Sequence, residues 1–514
     1  MSPTIMTRKN AGPTTEKPQE EVSTTNLPAI VENQKVAPCN TEPFGLPCVE
    51  CIGTDQYGNA VALMNDRGNP YIEKIGSRKL NAVIREKLRR EGRNANRSVL
   101  TDATDALTDF AETSGVKIDV YNRVAPIDGG IEIDLGTETH ERVRITAGKV
   151  EVIDQGSQAV FYRPNIAAPM VKPAEQGNLD LLNKYLNMTA VDQTLLIGWL
   201  SYTLATPKIP TNQFPILEVL AGYGCGKSFL SKCVIQPLVD PNTSSLQMMP
   251  KTDKDFAIIT QNSHVICLEN VRHVSQSMAD MLCVTATGGS ISSRRLYSDA
   301  DQAVLHVHAS IVISGIHPAI DQPDLAQRCL SINMTQIDEK NRKSEKDLIA
   351  ELNNDLPAIQ RGLFQLAADI FKHLPDAEVV SPERMLNFVR WLAAMERVQN
   401  VPVGVFQSAY SYSLKESQRS SLCENILAAA ILEFAENTIN GTWTGSPAEL
   451  LDELNAKANR GTQRSRDWPL NPIALSKRLA SLQTGLLSQG IQVDFRRGKN
   501  RVIQIKMLDQ EGGE

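Results

Sequence analysis

Apolar and polar positions change rhythm several times along the chain. From Val49 to Ile75, short apolar stretches are separated by turn residues at Tyr57-Gly58-Asn59 and Asp66-Arg67-Gly68-Asn69-Pro70, which predicts strands in hairpins. Lys79–Glu91 has helical spacing at Leu80, Val83, Ile84 and Leu88, and a second helix is expected over Asp102–Ser114. Ile118–Tyr162 alternates apolar and polar residues with Gly breaks. These segments predict an α+β N-terminal domain over residues 48–170. Residues 1–45 show no periodicity and read as a flexible tail.

Residues 170–177 read as a linker, and Asn178–Thr206 as one helix ended by Pro207–Pro215. Then short, continuously apolar runs alternate with helical patterns: PILEVLAG, HVICLEN, ASIVISG and CLSINM. Such runs predict strands buried on both faces, hence a mostly parallel sheet. Residues 345–437 read as helices over Glu345–Lys372, Pro382–Gln399 and Ser417–Asn437. After a break at 441–447, a small unit to 508 is expected. It holds a helix over 447–459, a polar loop, one or two helices over 472–489, and strands Gln492–Arg496 and Arg501–Lys506.

Composition narrows the class. The 514 residues are 41% hydrophobic and 22% charged, with 53 Lys and Arg against 59 Asp and Glu, a net charge of −6. This excludes bulk disorder. No apolar run reaches the ~18–20 residues of a membrane span. The first twenty residues lack the apolar stretch of a secretory signal. Nine scattered Cys fit a reducing cytoplasm.

The strongest chemical signal is ILEVLAGYGCGKSFLSK over Ile216–Lys232. An apolar strand runs into Gly222, Tyr223, Gly224, Cys225, Gly226, Lys227 and Ser228, and a helix with Phe229, Leu230 and Val234 follows. Glycines allow successive backbone N–H groups to surround a phosphate, and the helix N-terminus adds positive charge. Lys227 is suited to neutralise β- and γ-phosphate oxygens, and Ser228 to ligate Mg²⁺. The first position of the G-x-x-x-x-G-K-[ST] pattern is Ala221. The bland alternative is a Gly-rich turn before a helix.

Further elements follow in order. Val265–Leu268 is an apolar strand ending at Glu269, a carboxylate placed to hold Mg²⁺ through water; the alternative is a plain strand-end acid. Asn270 follows, able to position a water but not to take its proton. Ser310–Gly315 is a strand carrying Ser314, a candidate for the γ-phosphate or for a turn cap. Arg328 precedes the last strand. It suits an arginine finger reaching a neighbouring subunit, or an ion pair with Asp324 at i+4 spacing.

The series AGYGCGKS, ICLEN, TGGSISSRRLYSD, ASIVISG and DLAQR resembles the superfamily 3 helicase version of the AAA+ ATPase. That family is found in primase–helicases and replication proteins of phages, plasmids and poxviruses, and the whole layout looks like ATP-binding proteins of bacterial mobile elements. The resemblance covers about residues 178–340. It implies ATP and Mg²⁺ as cofactors, Glu269 as the Walker B acid, Ser314 as sensor 1 and Arg328 as the finger. It further implies a ring, usually of six subunits, and a basic hairpin over Thr287–Tyr297 that places Arg294 and Arg295 on single-stranded or forked DNA. The expected fold class is multidomain α/β. An AAA+ P-loop domain (178–344) is joined by an α+β N-terminal domain (48–170), a helical region (345–437) and a C-terminal winged helix (441–508). Ala221, Asn270 and Ser at 314 depart from the family pattern.

Residues 441–506 hold eleven Lys and Arg against five Asp and Glu, the reverse of the whole chain. Lys477 and Arg478 on a helix and Arg496, Arg497, Lys499 and Arg501 around a strand turn are candidate DNA contacts; a basic protein-interaction module is the alternative. Cys48-x-x-Cys51 lacks enough partners for zinc, and His306-x-His308 reads as an ordinary strand face. Two functions follow from the pattern: a helicase or translocase driven by ATP, and an ATP-gated DNA-binding or scaffold protein with slow or no hydrolysis, which Asn270 favours.

Overall fold

The structure is a computed structural model that describes residues 45–46, 48–244, 246–294, 302–320, 322–338, 340, 342–438, 441–465, 467–496 and 502–508. The tail expected over residues 1–45 lies outside them except for Gly45.

The N-terminal part begins with strands β1 (Val49–Asp55), β2 (Ala60–Asp66) and β3 (Asn69–Lys74), then helices α1 (Arg78–Arg90) and α2 (Arg97–Thr113). Short strands β4 (Lys117–Ile118), β5 (Val120–Tyr121), β6 (Val124–Ile127), β7 (Gly130–Asp134), β8 (Arg142–Thr146), β9 (Lys149–Ile153) and β10 (Val160–Tyr162) follow. They form a mixed sheet of order β4-β1-β2-β3-β10-β5 and an antiparallel sheet β6-β7-β8-β9. Both helices lay an apolar stripe on the first sheet, joining Leu80, Ile84, Leu88 and Leu107 to Ile52, Ala62 and Met64. Helix α2 starts five residues before the expected Asp102, because Asn96 caps it by accepting from the Val99 N–H at 3.0 Å.

The helix expected over 178–206 is two pieces. A 3₁₀ turn covers Leu179–Tyr185, and α3 runs over Ala190–Ala205 from a Thr189 cap. Beyond it, β11 (Ile216–Leu220) leads into the helical run α4 (Lys227–Phe229) and α5 (Gln236–Val239), joined by a π-helical turn at Leu230–Ile235. Pro237 supplies no N–H and its ring crowds the preceding turn, which accounts for the widened spacing there. Next come α6 (Asp253–Asn262), β12 (Val265–Leu268), α7 (Gln276–Thr287), β13 (Gly289–Arg294), β14 (Gln302–Val307), β15 (Ser310–Gly315), α8 (Pro323–Ala326) and β16 (Cys329–Asn333).

Strands β12, β15, β11 and β16 form a parallel sheet in that order, with Val219 beside Ser314 and Ile216 beside Cys329. Alternation sorts their side chains into two cores. Leu217, Val219, Val312 and Ile332 join Trp199, Leu230 and Val234 on one face; Ile216, Ile311, Ile313 and Cys329 join Met278, Leu282 and Leu325 on the other. Burial on both faces is why these strands read as unbroken apolar runs. Strands β13 and β14 form a separate antiparallel hairpin. Gly288 before it sits at φ +74°, and a β-carbon at Gly289 would come within 2.5 Å of Val284 Cγ1.

Helices α9 (Glu345–His373), α10 (Leu386–Val398) and α11 (Val405–Glu424) pack with α3. The helix expected over 417–437 is broken at Asn425, whose side chain accepts from the Leu427 and Ala428 N–H groups, both at 3.1 Å, and starts α12 (Ile426–Glu436). Helix α12 shares its core with β17 (Thr442–Gly445), α13 (Pro447–Lys457), α14 (Arg460–Gln463), α15 (Pro472–Ser488), β18 (Ile491–Arg496) and β19 (Val502–Met507). Leu427, Ile431 and Phe434 meet Leu450, Leu475 and Ile503 there, so the C-terminal unit includes α12 as well as 441–508. Its sheet has the order β17-β19-β18, and β17 lies where a break was expected. No helix among the described residues is long and apolar enough to cross a membrane.

The N-terminal part is fastened to the parallel sheet by charge. Arg123 Nε donates to Asp240 Oδ1 at 3.0 Å, with side chains only 4% and 8% exposed. The other Asp240 oxygen accepts from the His264 N–H at 2.6 Å and the Val265 N–H at 3.2 Å. His264 itself is buried, its Nε2 is 2.9 Å from the Thr203 carbonyl, and its Nδ1 has no partner among the described residues. Burial lowers its pKa to about 4; Asp240 and the Thr203 carbonyl pull upward, and Lys208 and Arg123 push further down. The unfolded imidazole, near 6.5, therefore takes up a proton that the folded one refuses. Stability is fully present above pH 6.5 and falls toward pH 4, by about 3 kcal/mol from this residue alone. Urea titrations at pH 7.5, 6 and 5 are expected to show that decline, and His264→Gln to flatten it.

Candidate functional site

The loop from Ala221 to Ser228 leaves the C-terminal end of β11 and is fixed at its start by two backbone bonds, Ala221 N–H to the Gly315 carbonyl at 3.2 Å and Met334 N–H to the Leu220 carbonyl at 2.8 Å. Gly224 and Gly226 have φ of +72° and +87°, so the backbone turns twice where a side chain would strain it. Gly222 is exposed, and Cys225 is buried in the core with Leu230, anchoring the middle of the loop. Phe229 packs against the same core. Lys227 folds back over the loop, its ammonium donating to the Ala221 carbonyl at 2.6 Å and the Gly222 carbonyl at 3.0 Å.

Three side chains reach this end of the sheet from neighbouring strands. Ser228 follows β11, Ser314 lies on β15 beside it, and Glu269 follows β12, one strand further. The Ser228 hydroxyl donates to Glu269 Oε1. Glu269 is held by its own N–H on the Gln247 carbonyl at 2.9 Å. Ser314 is on the face of β15 that carries Val312, the face covered by the loop helix. Its hydroxyl is buried and has no partner among the described residues. Asn270 is exposed at φ +55°, a backbone region that Asn tolerates better than most residues, so the turn itself accounts for Asn there. A cleft of about 460 Å³ opens beside Glu269, with Leu246, Met248, Met249 and Arg272 on its walls.

Arg328 is at the other end of the sheet. It precedes Cys329, which pairs with Ile216 at the start of β11, about 13 Å along the strand from the loop. Its side chain is 10% exposed and bonded to Asp324 Oδ2 at 2.7 Å, the i+4 ion pair that its spacing allowed. Arg384, 41% exposed, reaches the same carboxylate from the segment before α10. Neither Arg384 nor Arg342 stood out in the sequence. The Arg342 guanidinium lies against the loop, where a β-carbon at Gly224 would sit 3.7 Å from its Nη2. No run or spacing marks it, because its position depends on the chain returning after β16.

Arg294 closes strand β13, opposite Gln302 on β14. Lys477 is exposed on α15, whereas Arg478 beside it donates to the Asp467 carbonyl. Arg496 donates to Gln504 Oε1 at 2.9 Å across the β18–β19 pair. Arg295, Arg497, Lys499 and Arg501 lie outside the described residues. Among the described residues no three His, Cys, Asp or Glu converge on a metal-sized site.

Residues 179–418 match the family of the actinomycete integrative conjugative element replication protein. Residues 427–512 match the C-terminal domain of that replication protein. No curated protein matches the chain. Among solved structures, the A-form apo C-terminal region of NrS-1 is 13% identical, with a TM-score of 0.37 over 89% of this chain and 96% of that one. A second apo structure of the NrS-1 C-terminal region is 12% identical, with a TM-score of 0.33 over 72% and 94%. JCV helicase with a bound small molecule is 15% identical, with a TM-score of 0.21 over 45% and 69%. From residue 179 to residue 512, the chain is thus similar, in order, to both parts of the replication protein of actinomycete integrative conjugative elements.

Proposed function

We propose that this chain is an ATP-driven helicase or translocase that assembles as a ring and acts in the replication of an integrative conjugative element. The observation that carries the reading is the meeting of the Ser228 hydroxyl and the Glu269 carboxylate beside Lys227, where a buried strand passes into a helix. A hydroxyl and a carboxylate are the hard oxygen donors that Mg²⁺ takes. The unpartnered Ser314 hydroxyl and the two left-handed glycines fit a bound triphosphate in the same place. Mg²⁺–ATP supplies the γ-phosphoryl group and the cation that neutralises its oxygens. Lys227, now on two loop carbonyls, would meet the phosphate oxygens, Ser228 and Glu269 would hold the metal side, and Ser314 would face the γ-phosphate from the neighbouring strand. Arg342 adds a second positive charge at the loop.

Arg328 lies too far from the loop of its own chain to serve it, so in this reading it acts on a neighbour, after Asp324 passes to Arg384. The C-terminal order helix, strand, three helices (the middle one only Arg460–Gln463), strand, strand suits a winged helix that grips DNA through Lys477 and the segment between β18 and β19. Purified protein is expected to separate a forked duplex with ATP and Mg²⁺ and to enlarge in sedimentation when nucleotide is added. ATP binding and assembly with no strand separation would instead establish the second reading, an ATP-gated scaffold, which the absence of a second acid at Asn270 favours.

A further inference from the structure

A cleft of about 350 Å³ lies between the N-terminal sheet and the root of the β13–β14 hairpin. Its walls carry five rings, Tyr57, Tyr121, Tyr162, His306 and His308, and two ammonium groups, Lys74 and Lys208. On the hairpin side Gly288 and Gly289 add bare backbone beside Ser290, Val304 and Leu305.

The rings are held in place. Asp55 Oδ1 accepts from the Tyr57 N–H at 2.9 Å and the Asn59 N–H at 2.8 Å, and its other oxygen takes the Asn59 side-chain amide at 2.8 Å. That turn presents Tyr57, 48% exposed, with its ring centroid 4.6 Å from that of His306. Across the cleft, the Lys74 ammonium stands 4.5 Å over the Tyr162 ring. Lys208 donates to the Thr260 and Ser263 carbonyls, each at 3.0 Å, which leaves one of its three protons for a further acceptor. Burial lowers its pKa to about 8, with Asp240 opposing, so it is still charged at neutral pH.

We infer that this cleft takes one unstacked base of a single nucleic-acid strand, stacked on Tyr57 and followed by a phosphate that meets Lys74 or Lys208. Aromatic faces beside cations are the combination that holds single strands without regard to sequence. The volume suits one nucleoside and the walls flank it on both sides, so a paired base in a duplex does not fit. The site is continuous with the hairpin that carries Arg294, which gives the strand its path. The inference rests on the DNA reading above and adds a task for residues 48–170, that of holding a base beside the β13–β14 hairpin.

Fluorescence anisotropy with a short fluorescein-labelled oligo-dT, and with the same label on a blunt duplex, tests it on the full chain. Tyr57→Ala is expected to weaken single-strand binding about 5- to 100-fold and to leave duplex binding unchanged. Tyr57→Phe keeps the ring and is expected to bind as the parent does. Tyr412→Ala, which removes a tyrosine 66% exposed on α11, is the control and is expected to change nothing. Equal single-strand binding by the parent and Tyr57→Ala would overturn the inference while leaving the motor reading intact. So would equal loss in Tyr57→Ala and Tyr57→Phe, or equal loss on single strand and duplex, because neither depends on stacking. A parent protein that binds no single strand would remove both.

Discussion

Lys227→Ala is expected to reduce ATP turnover by at least about a hundredfold, the scale on which one preorganised charge acts on a developing anion. The substitution leaves the fold alone: among the described residues the side chain makes two hydrogen bonds, both to carbonyls of its own loop. What it removes is the ammonium that folds back over Ala221 and Gly222 at the start of the loop, and binding of the triphosphate is expected to be lost with it. Glu269→Gln gives the informative contrast. It keeps an oxygen near Ser228 but not the charge, so nucleotide binding is retained while turnover falls. Fluorescent-nucleotide titration and phosphate release on the two variants separate these outcomes. Full ATPase activity in Lys227→Ala would show that the loop is a structural turn. The site would then have to be sought elsewhere, starting with the cleft beside Glu269.

This site was legible because its parts are local. A strand buried on both faces must be apolar at every position, so β11, β12, β15 and β16 each stood out as runs, and the loop lies within eight residues of one of them. The Arg328–Asp324 pair was equally visible, because i+4 spacing on one helical turn brings the two together. What the sequence hid depends on distant segments. Arg384 meets Asp324 from sixty residues away. The ring contact of Tyr57 with His306 joins the turn after β1 to strand β14, far along the chain. Helix α12 was misplaced for a related reason: Asn425 stops one helix and caps the next within an otherwise helical pattern, and only packing against Leu450 and Ile503 shows to which unit α12 belongs.

Arg123→Met is expected to lower stability by about 3–5 kcal/mol, the usual cost of leaving a buried charge without its partner. Arg123 uses four of its five guanidinium N–H groups. Besides Asp240 it serves the Asp134 carbonyl at 2.9 Å, the Ala168 carbonyl at 3.0 Å and the Pro241 carbonyl at 3.1 Å. Methionine fills the volume but takes a donor from three carbonyls and the countercharge from Asp240, which keeps only the His264 and Val265 N–H groups in a dry seam. Lysine does little better, because a single ammonium cannot reproduce a planar fork. Asp240→Asn in the same chain is expected to restore part of the loss, since the amide oxygen can still accept from the His264 and Val265 N–H groups without a net charge to bury. Urea unfolding of the two single variants and the double variant measures the coupling. Additive losses would mean that the two side chains act independently. A large coupling would make this pair the clamp that holds residues 48–170 against the parallel sheet, and so sets the distance between Tyr57 and the hairpin. Single-strand binding by Arg123→Met, measured where the variant remains folded, should then fall with that clamp even though Arg123 lines no part of the Tyr57 cleft.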